Sequence, residues 1–342
     1  MRAFHVRAYG PSSSHSIESL ESPRQPAPNE VLIHTRAIAL NFPDLLMIQG
    51  KYQVRPELPF VPGRDAAGVI AAVGSNVGQF RIGDRIMCQM DQGAWAEMIC
   101  APASRFYLMP SSASFAEAAA MITPYNTAYV ALVARARLQK GEVVLVTGAS
   151  GSVGTAVIQL AKAMGAFVIA AVSSEHKSDF VRQTGADSVI VATGGDLKRT
   201  VREGVLAATA GREANVVCDT VGGELFTAGL RALGFDGRMI VIGFAGNQIP
   251  EVRVNYLLMR NLAVLGAALD THFDTRPELI AQGIDFLRTQ YSTGRLRPAI
   301  KRTLPFECFP QALEQAADSR TPGRVVIQIG SQENTSAETS SG

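Results

Sequence analysis

Three glycines, Gly148, Gly151 and Gly154, stand in the stretch VVLVTGASGSVG (143–154) at a spacing that can cradle a pyrophosphate. Without side chains at such a turn the backbone can approach the anion closely, and the free N–H groups of the following helix face its charge. The whole turn, Gly148, Ala149, Ser150, Gly151, Ser152, Val153 and Gly154, is therefore a candidate cofactor-binding segment. Further on, Ser173, Ser174 and Lys177 bring two hydroxyls and an ammonium close to a helix start. That set suits a phosphate dianion and points to NADPH over NADH. Two other readings stay open: Glu175 could reach the ribose hydroxyls, or Ser173 or Ser174 could be an N-cap beside a solvated Lys177. Far upstream, Tyr52 follows a glycine in QGKY, where a side chain can project into a cleft. A hydroxyl there could donate to an enolate oxygen or supply a proton to carbon; alternatively the ring covers a core. Asn41 ends an apolar strand and offers an amide to a substrate or to the carboxamide of nicotinamide, unless it closes a turn.

The elements that hold these residues follow from the hydrophobic pattern. Val143–Val146 is a short buried-strand signal, and Val153, Val157, Leu160, Ala161 and Met164 then recur at helical spacing. A strand, a glycine turn and an amphipathic helix in that order form the first half of a dinucleotide-binding βαβ unit. Strand signals at Phe167–Val172, Val189–Val191, Val216–Asp219, Arg238–Ile242 and Ala263–Gly266 alternate with helical ones. This alternation implies an α/β doubly wound parallel sheet. Residues 1–120 read differently. Short strands at Val31–Leu40, Gly68–Val73 and Arg85–Met90, separated by glycine turns, predict a barrel-like β domain. The proline-rich stretch Phe42–Arg64 reads as a long functional loop. Phe115–Met121 and Thr127–Arg135 are helical in pattern. The resulting division is 1–120, 121–266 for the nucleotide domain, 267–330 rejoining the first domain, and a polar tail, 331–342, expected to be disordered.

Composition excludes several function classes. With 342 residues, 47% apolar and 18% charged, the chain has the make-up of a globular protein of two domains. A net charge of +2 without a Lys/Arg run leaves no footprint for nucleic acid or an anionic membrane. No apolar stretch suits a bilayer span, and the N-terminus lacks a signal-peptide pattern. Cys88, Cys100, Cys218 and Cys308 are scattered and read as free thiols in a reducing compartment, with the cytoplasm as the default.

Several long motifs in order, NFPDLLMIQGKY (41–52), LPFVPGRDAAGVI (58–70), VGSNVGQFRIGDRI (73–86), VLVTGASGSVGTAVIQLAK (144–162) and VIGFAGNQIP (241–250), carry a family resemblance. The chain resembles the medium-chain dehydrogenase/reductase superfamily, and within it the zinc-free quinone oxidoreductase branch, over residues 1 to about 330. The resemblance implies a GroES-like β-barrel catalytic domain with an inserted Rossmann domain, NADPH as hydride donor, a small electrophilic substrate and a homodimer. Residues matching Asn41 and Tyr52 line the cleft beside the nicotinamide. Thr127 matches a cleft threonine at the start of the helix entering the Rossmann domain. Lys177 matches a lysine on the 2′-phosphate, and Arg320 matches a C-terminal arginine near it. Phe244 and Ala245, after the strand Arg238–Ile242, fall where parallel strands open onto the ligand crevice, with Phe244 alternatively a core residue.

Two positions depart from the family pattern: Ala192 replaces a tyrosine that flanks the adenosine phosphate, and Leu46 replaces a second cleft aromatic. Zinc-dependent relatives carry Gly-His-Glu where this chain has Gly63, Arg64 and Asp65. The five histidines and four cysteines have no ligand spacing, so no metal is expected. Asp65 reads as structural; Arg64 reads as a partner for Asp65 or another carboxylate, or as a contact for an anionic substrate. Trp95 reads as structural. The same resemblance leaves an enoyl thioester reductase as an alternative, and a non-catalytic NADPH- or RNA-binding, crystallin-like protein as an alternative of another class.

Overall fold

The computed structural model of the chain describes residues 1–330; the tail 331–342 lies outside the described residues. One of its sheets is six-stranded and parallel, in the spatial order Ser188–Val191, Phe167–Val172, Val143–Thr147, Ala214–Asp219, Leu233–Val241, Ala263–Gly266. Strand order reverses beside Val143–Thr147, which is the doubly wound arrangement, and its ligand crevice opens at the carboxyl ends of the strands there. Alternate residues of the central strand face different cores, as the two-residue period of a strand requires. Val144 and Val146 share a core with Val157 and Leu160 of the helix Ser152–Ala163. Val143 and Leu145 share the opposite one with Val201, Val205 and Phe226. Burial on both faces explains why this strand reads as an unbroken apolar run.

The second sheet is mostly antiparallel and contains Ile300–Pro305, Arg324–Gln328, Glu30–Ala39, Asp65–Val73, Arg85–Gln89 and Phe106–Leu108 in that order, with Met98–Pro102 also on Glu30–Ala39. Arg324–Gln328 pairs antiparallel with Glu30–Ala39, so the two ends of the chain meet in this sheet and the parallel sheet lies between them in sequence. Register shifts in the pairing of Glu30–Ala39 with Asp65–Val73 curl the sheet toward a barrel. Its core centres on Trp95, fully buried, with Phe4 and Phe309 stacked 4.7 Å apart beside it. All four cysteines are free. Among the described residues, no helix is long and apolar enough to cross a membrane.

Two local expectations are corrected. The stretch after Asn41 begins with a helix, Phe42–Ile48, rather than a continuous loop. Pro43 is at the start of that helix, where its missing N–H costs nothing and its fixed φ favours the first turn. The second correction concerns Phe115–Tyr129, a single helix that runs through Pro124 and widens into a π-helical turn, Val130–Arg135. Proline at 124 cannot donate to the Ala120 carbonyl. Arg324 supplies the missing donor, its Nη1 lying 2.7 Å from the Ala120 oxygen. Thr127 is consequently inside a helix, three turns in, and not at a helix start.

Candidate active site

The glycine turn joins the carboxyl end of Val143–Thr147 to the helix Ser152–Ala163. Its glycines do two different jobs. A Cβ at Gly148, where φ is +61°, would lie 2.3 Å from Thr220 Oγ1, and one at Gly154 would lie 2.4 Å from the Gly148 carbonyl oxygen and 2.7 Å from Ala149 Cα. Gly154 is needed for the helix to pack on the turn, and Gly148 for the segment after Ala214–Asp219 to pack against it. Gly151 is the N-cap of the helix, and the nearest atom to a Cβ there would be the Gly148 oxygen at 3.3 Å. Its absent side chain leaves space in front of the helix N-terminus, where Ser152 and Val153 begin the run of N–H groups that have no intrahelical acceptor. A pyrophosphate fits this cradle. Ser150 is partly exposed beside it. Ala149 differs from the expectation: it is buried and its N–H is taken by the Ala171 carbonyl, 3.3 Å away, so it packs the turn instead of offering a donor.

At the end of the neighbouring strand Phe167–Val172, Lys177 is 7% exposed and its Nζ donates to Ser173 Oγ at 3.0 Å. Among the described residues no carboxylate lies within salt-bridge distance of it. Ser174 Oγ is buried and has no partner, and Ser174 makes no capping bond to the turn that follows. The capping alternative is therefore not realised. A sequestered ammonium without a counter-charge costs free energy, and this one sits beside the Ser173 hydroxyl just past the carboxyl end of Phe167–Val172. Glu175 points to solvent on the turn Glu175–Lys177. The His176 ring lies 3.2 Å from the Arg320 carbonyl, which brings the C-terminal loop alongside. The Arg320 guanidinium itself is exposed and paired with Asp318.

The other wall of the crevice carries Asp219 at the end of Ala214–Asp219. Its buried carboxylate accepts from Thr147 Oγ1 and from the Gly222 N–H, and so ties the two central strands together at the reversal point. Phe244 follows Leu233–Val241, is partly exposed and belongs to none of the buried cores. The Ala245 N–H is already bonded to the Thr220 carbonyl at 3.1 Å, which leaves its carbonyl as the group able to contact a ligand. Thr127 is 8% exposed, with Oγ1 donating to the Thr123 carbonyl.

The barrel side of the crevice is organised by a residue that sequence reasoning missed, Arg324. Besides capping Ala120, its Nη2 donates to Asn41 Oδ1 at 2.8 Å and to Asp65 Oδ2 at 2.9 Å. Asp65 also accepts from Thr123 Oγ1, one turn before Thr127. Burial pushes the Asp65 carboxyl up in pKa, with Arg324 opposing. Asn41 Nδ2 is held by Asp44, whose Oδ2 also takes the Asn41 N–H at 3.0 Å. Both ends of the Asn41 amide are thus committed to the scaffold, and it is a helix N-cap instead of a free cleft group. Asp44 is completely buried, its Oδ1 lacks a partner, and burial together with the charge of Asp65 raises its pKa to about 7. The signal for Arg324 was a charged residue opening an apolar strand, GRVVIQ. Its partners span the chain, so no local pattern shows them.

Tyr52 packs its ring against the barrel core and carries the Arg64 guanidinium over its face, 5.5 Å from the ring centroid. Burial raises the Tyr52 pKa and the Arg64 charge opposes that shift. Arg64 pairs with Asp270 at 2.7 Å and not with adjacent Asp65. Asp270 lies four residues beyond Gly266, the carboxyl end of the edge strand of the parallel sheet. The Arg64–Asp270 pair therefore joins the barrel to the segment that leaves the parallel sheet at the carboxyl end of its edge strand. Gly63 makes this presentation possible: its φ is +99°, and a Cβ would fall 1.9 Å from Trp95 Cδ1.

Comparison with known proteins agrees with this architecture. Residues 27–111 match the family model of the alcohol dehydrogenase GroES-like domain, and residues 152–286 match that of zinc-binding dehydrogenases. The chain is 38% identical over 309 residues to a quinone oxidoreductase-like protein 2 from Rattus norvegicus, covering 90% of this chain and 87% of that one. Among solved structures it is similar to Escherichia coli quinone oxidoreductase complexed with NADPH, with a TM-score of 0.85, 26% identity and coverage of 96% and 100%. It is also similar to the CurK enoyl reductase, with a TM-score of 0.84, 25% identity and coverage of 96% and 99%. The GroES-like barrel, the inserted doubly wound sheet and these likenesses together make the chain a member of the medium-chain dehydrogenase/reductase superfamily, in its quinone oxidoreductase-like branch.

Proposed function

We infer that this oxidoreductase takes its hydride from NADPH and delivers it, without zinc, to a quinone or to the activated C=C of an α,β-unsaturated carbonyl compound. The observation that carries the cofactor choice is the buried Lys177 ammonium, which faces Ser173 and has no carboxylate partner among the described residues. A 2′-phosphate would supply the missing counter-charge and also reach the unpartnered Ser174 hydroxyl. The same reading draws support from the NADPH complex of the E. coli structural relative. NADPH, when bound, supplies the hydride.

The protein's own part is orientation and charge control. The Gly151 cradle and the leading N–H groups of the helix Ser152–Ala163 would hold the pyrophosphate, and Thr127, Phe244 and the Ala245 carbonyl are the groups this reading assigns to the nicotinamide. Tyr52 offers a hydroxyl at the crevice mouth to the oxygen that gains negative charge as the hydride arrives, or a proton to the adjacent carbon. Asn41, Asp44, Asp65 and Arg324 hold that wall in place from behind. Zinc independence rests on donor chemistry: a guanidinium, Arg64, occupies the position of the family's histidine ligand, and among the described residues no three His, Cys, Asp or Glu side chains converge.

A second reading, reduction of an enoyl thioester, is favoured by Tyr52 in MIQGKY and by the likeness to the CurK enoyl reductase. Steady-state oxidation of NADPH and NADH with a simple quinone, a short enone and crotonyl-CoA separates the readings. Preference for the quinone or enone supports the first; strong preference for crotonyl-CoA overturns it in favour of the second. NADPH binding without oxidation by any of them leaves a non-catalytic binder. A homodimer is the assembly that best accounts for the exposed Val254, Leu258 and Met259 next to the edge strand Ala263–Gly266. Light scattering tests it, and a mass of one chain rules it out.

A further inference from the structure

The reading above uses Arg64 only to argue against zinc and gives it no part in the reaction, yet its surroundings suggest one. Only 6% of it is exposed, yet its partner Asp270 is the outermost group of the cluster, with a side chain 46% exposed. Nη1 is the guanidinium atom that bonds Asp270. Nε is buried without a partner, and Nη2 has none among the described residues. The other acid that faces Arg64, Asp44, is sealed and keeps Oδ1 unpaired. The guanidinium is therefore a fixed charge with spare donors, set over the ring of Tyr52, and stoppered from the solvent side by a carboxylate on a short helix, Asp270–Thr275.

Resting on the function inferred above, we propose that Arg64 is a substrate-contacting catalytic residue: its guanidinium donates to the carbonyl oxygen of the substrate and stabilises the oxyanion formed on hydride arrival, and Asp270 occupies that place until substrate displaces it. The step balances simply. Hydride adds to the β-carbon, the C=C π pair shifts to join the α-carbon and the carbonyl carbon, the C=O π pair moves to the oxygen, and the resulting enolate takes its proton at the α-carbon from Tyr52 or water. For a quinone, hydride transfer to one carbonyl oxygen leaves the negative charge on the other, the oxygen held by Arg64, which gives the hydroquinone monoanion. Arginine suits this role because it stays charged at every working pH and presents several donors in one plane. An ordinary interdomain latch, by contrast, would use the pair only to hold the segment after Gly266 against the barrel.

The two accounts predict opposite signs for two substitutions. Arg64→Met removes the donor, and on the proposal lowers kcat with quinone or enone about a hundredfold while leaving NADPH affinity unchanged; Arg64→Lys keeps part of the rate. Asp270→Asn, at a half-exposed side chain, removes the competitor and raises kcat/KM. A latch requires both substitutions to act alike, and a parallel loss in both overturns the proposal. A measurement independent of turnover uses 4-nitrophenolate, an aromatic oxyanion that cannot accept hydride. Its binding is expected to tighten in Asp270→Asn and to disappear in Arg64→Met. Equal binding by wild type and Arg64→Met refutes the contact. If nitrophenolate binding follows the expected pattern while wild type oxidises NADPH with none of the substrates, the contact stands and the reading of the reaction falls.

Discussion

Replacing Lys177 by methionine removes an ammonium and keeps the length of the side chain, and its consequences have two signs. In the absence of cofactor, Lys177 is a charge 7% exposed with a single neutral partner, Ser173 Oγ. Removing an unpaired buried charge relieves desolvation, so the unliganded protein is expected to be as stable as wild type or more so. With NADPH, the variant loses a hydrogen bond to a charged phosphate, worth about 1.5–3 kcal/mol. At about 1.4 kcal/mol per factor of ten, the dissociation constant rises roughly 10- to 150-fold. NADH has no phosphate at that position and should bind the variant as it binds wild type. Fluorescence titration with both nucleotides, alongside thermal unfolding of the free protein, reads every term. Equal weakening of NADPH and NADH would refute the assignment, as would a drop in stability of the free protein with NADPH preference intact.

Other outcomes follow from the same geometry. Gly151→Ala should fold normally and bind cofactor more weakly, because its methyl meets no backbone closer than 3.3 Å and fills the cradle. Gly154→Ala should fail to fold or lose several kcal/mol, since its methyl would lie 2.4 Å from a fixed carbonyl oxygen; soluble yield and urea midpoints distinguish the pair. Arg324→Met leaves Asp65 buried without its counter-charge and Ala120 without a donor, a loss of about 3–5 kcal/mol, which is a large share of a typical total of about 5–15. An unchanged urea midpoint would contradict the role of Arg324 as the hub. Asp44 keeps its proton up to about pH 7 in the folded protein, against an ordinary value of 3.8. The folded state therefore binds the proton more tightly than the unfolded chain, and stability from this group is present at low pH and falls as pH rises toward 7. Asp44→Asn should remove that fall; superimposable pH profiles of the urea midpoint would refute it.

What could be read from the sequence was what depends on neighbours in the chain. The strand Val143–Thr147 is buried on both faces and so announces itself as an apolar run, and Gly154 must be glycine for a steric reason that acts within the turn itself, whereas the atom that excludes a Cβ at Gly148 belongs to distant Thr220. The Ser173, Ser174 and Lys177 cluster is equally local. Where the reading failed, the deciding partner lay far off. The helical signals Phe115–Met121 and Thr127–Arg135 are joined into one helix across Pro124 because the Ala120 carbonyl finds its donor in Arg324, 204 residues later. Pro43 looked like loop punctuation and is a helix start, two functions that proline serves with the same φ. Asn41 was open between a ligand-contacting amide and a residue closing a turn, and the structure engages its amide with Asp44 and with Arg324, which enters from the far end of the chain. Arg64 was open between two kinds of partner, and Asp270 carries no motif that would have chosen.

On the proposed function, a hydride passes from NADPH to the electrophilic carbon of a conjugated carbonyl compound in the crevice between the two sheets. Turnover of an enone with NADPH deuterated at the transferred position tests this most directly, with the product analysed by mass spectrometry and NMR. One deuterium is expected at the β-carbon of the saturated ketone, with a much slower reaction in the Tyr52→Phe variant. Product without the label, or NADPH that binds and is never oxidised by enone or quinone, would contradict it.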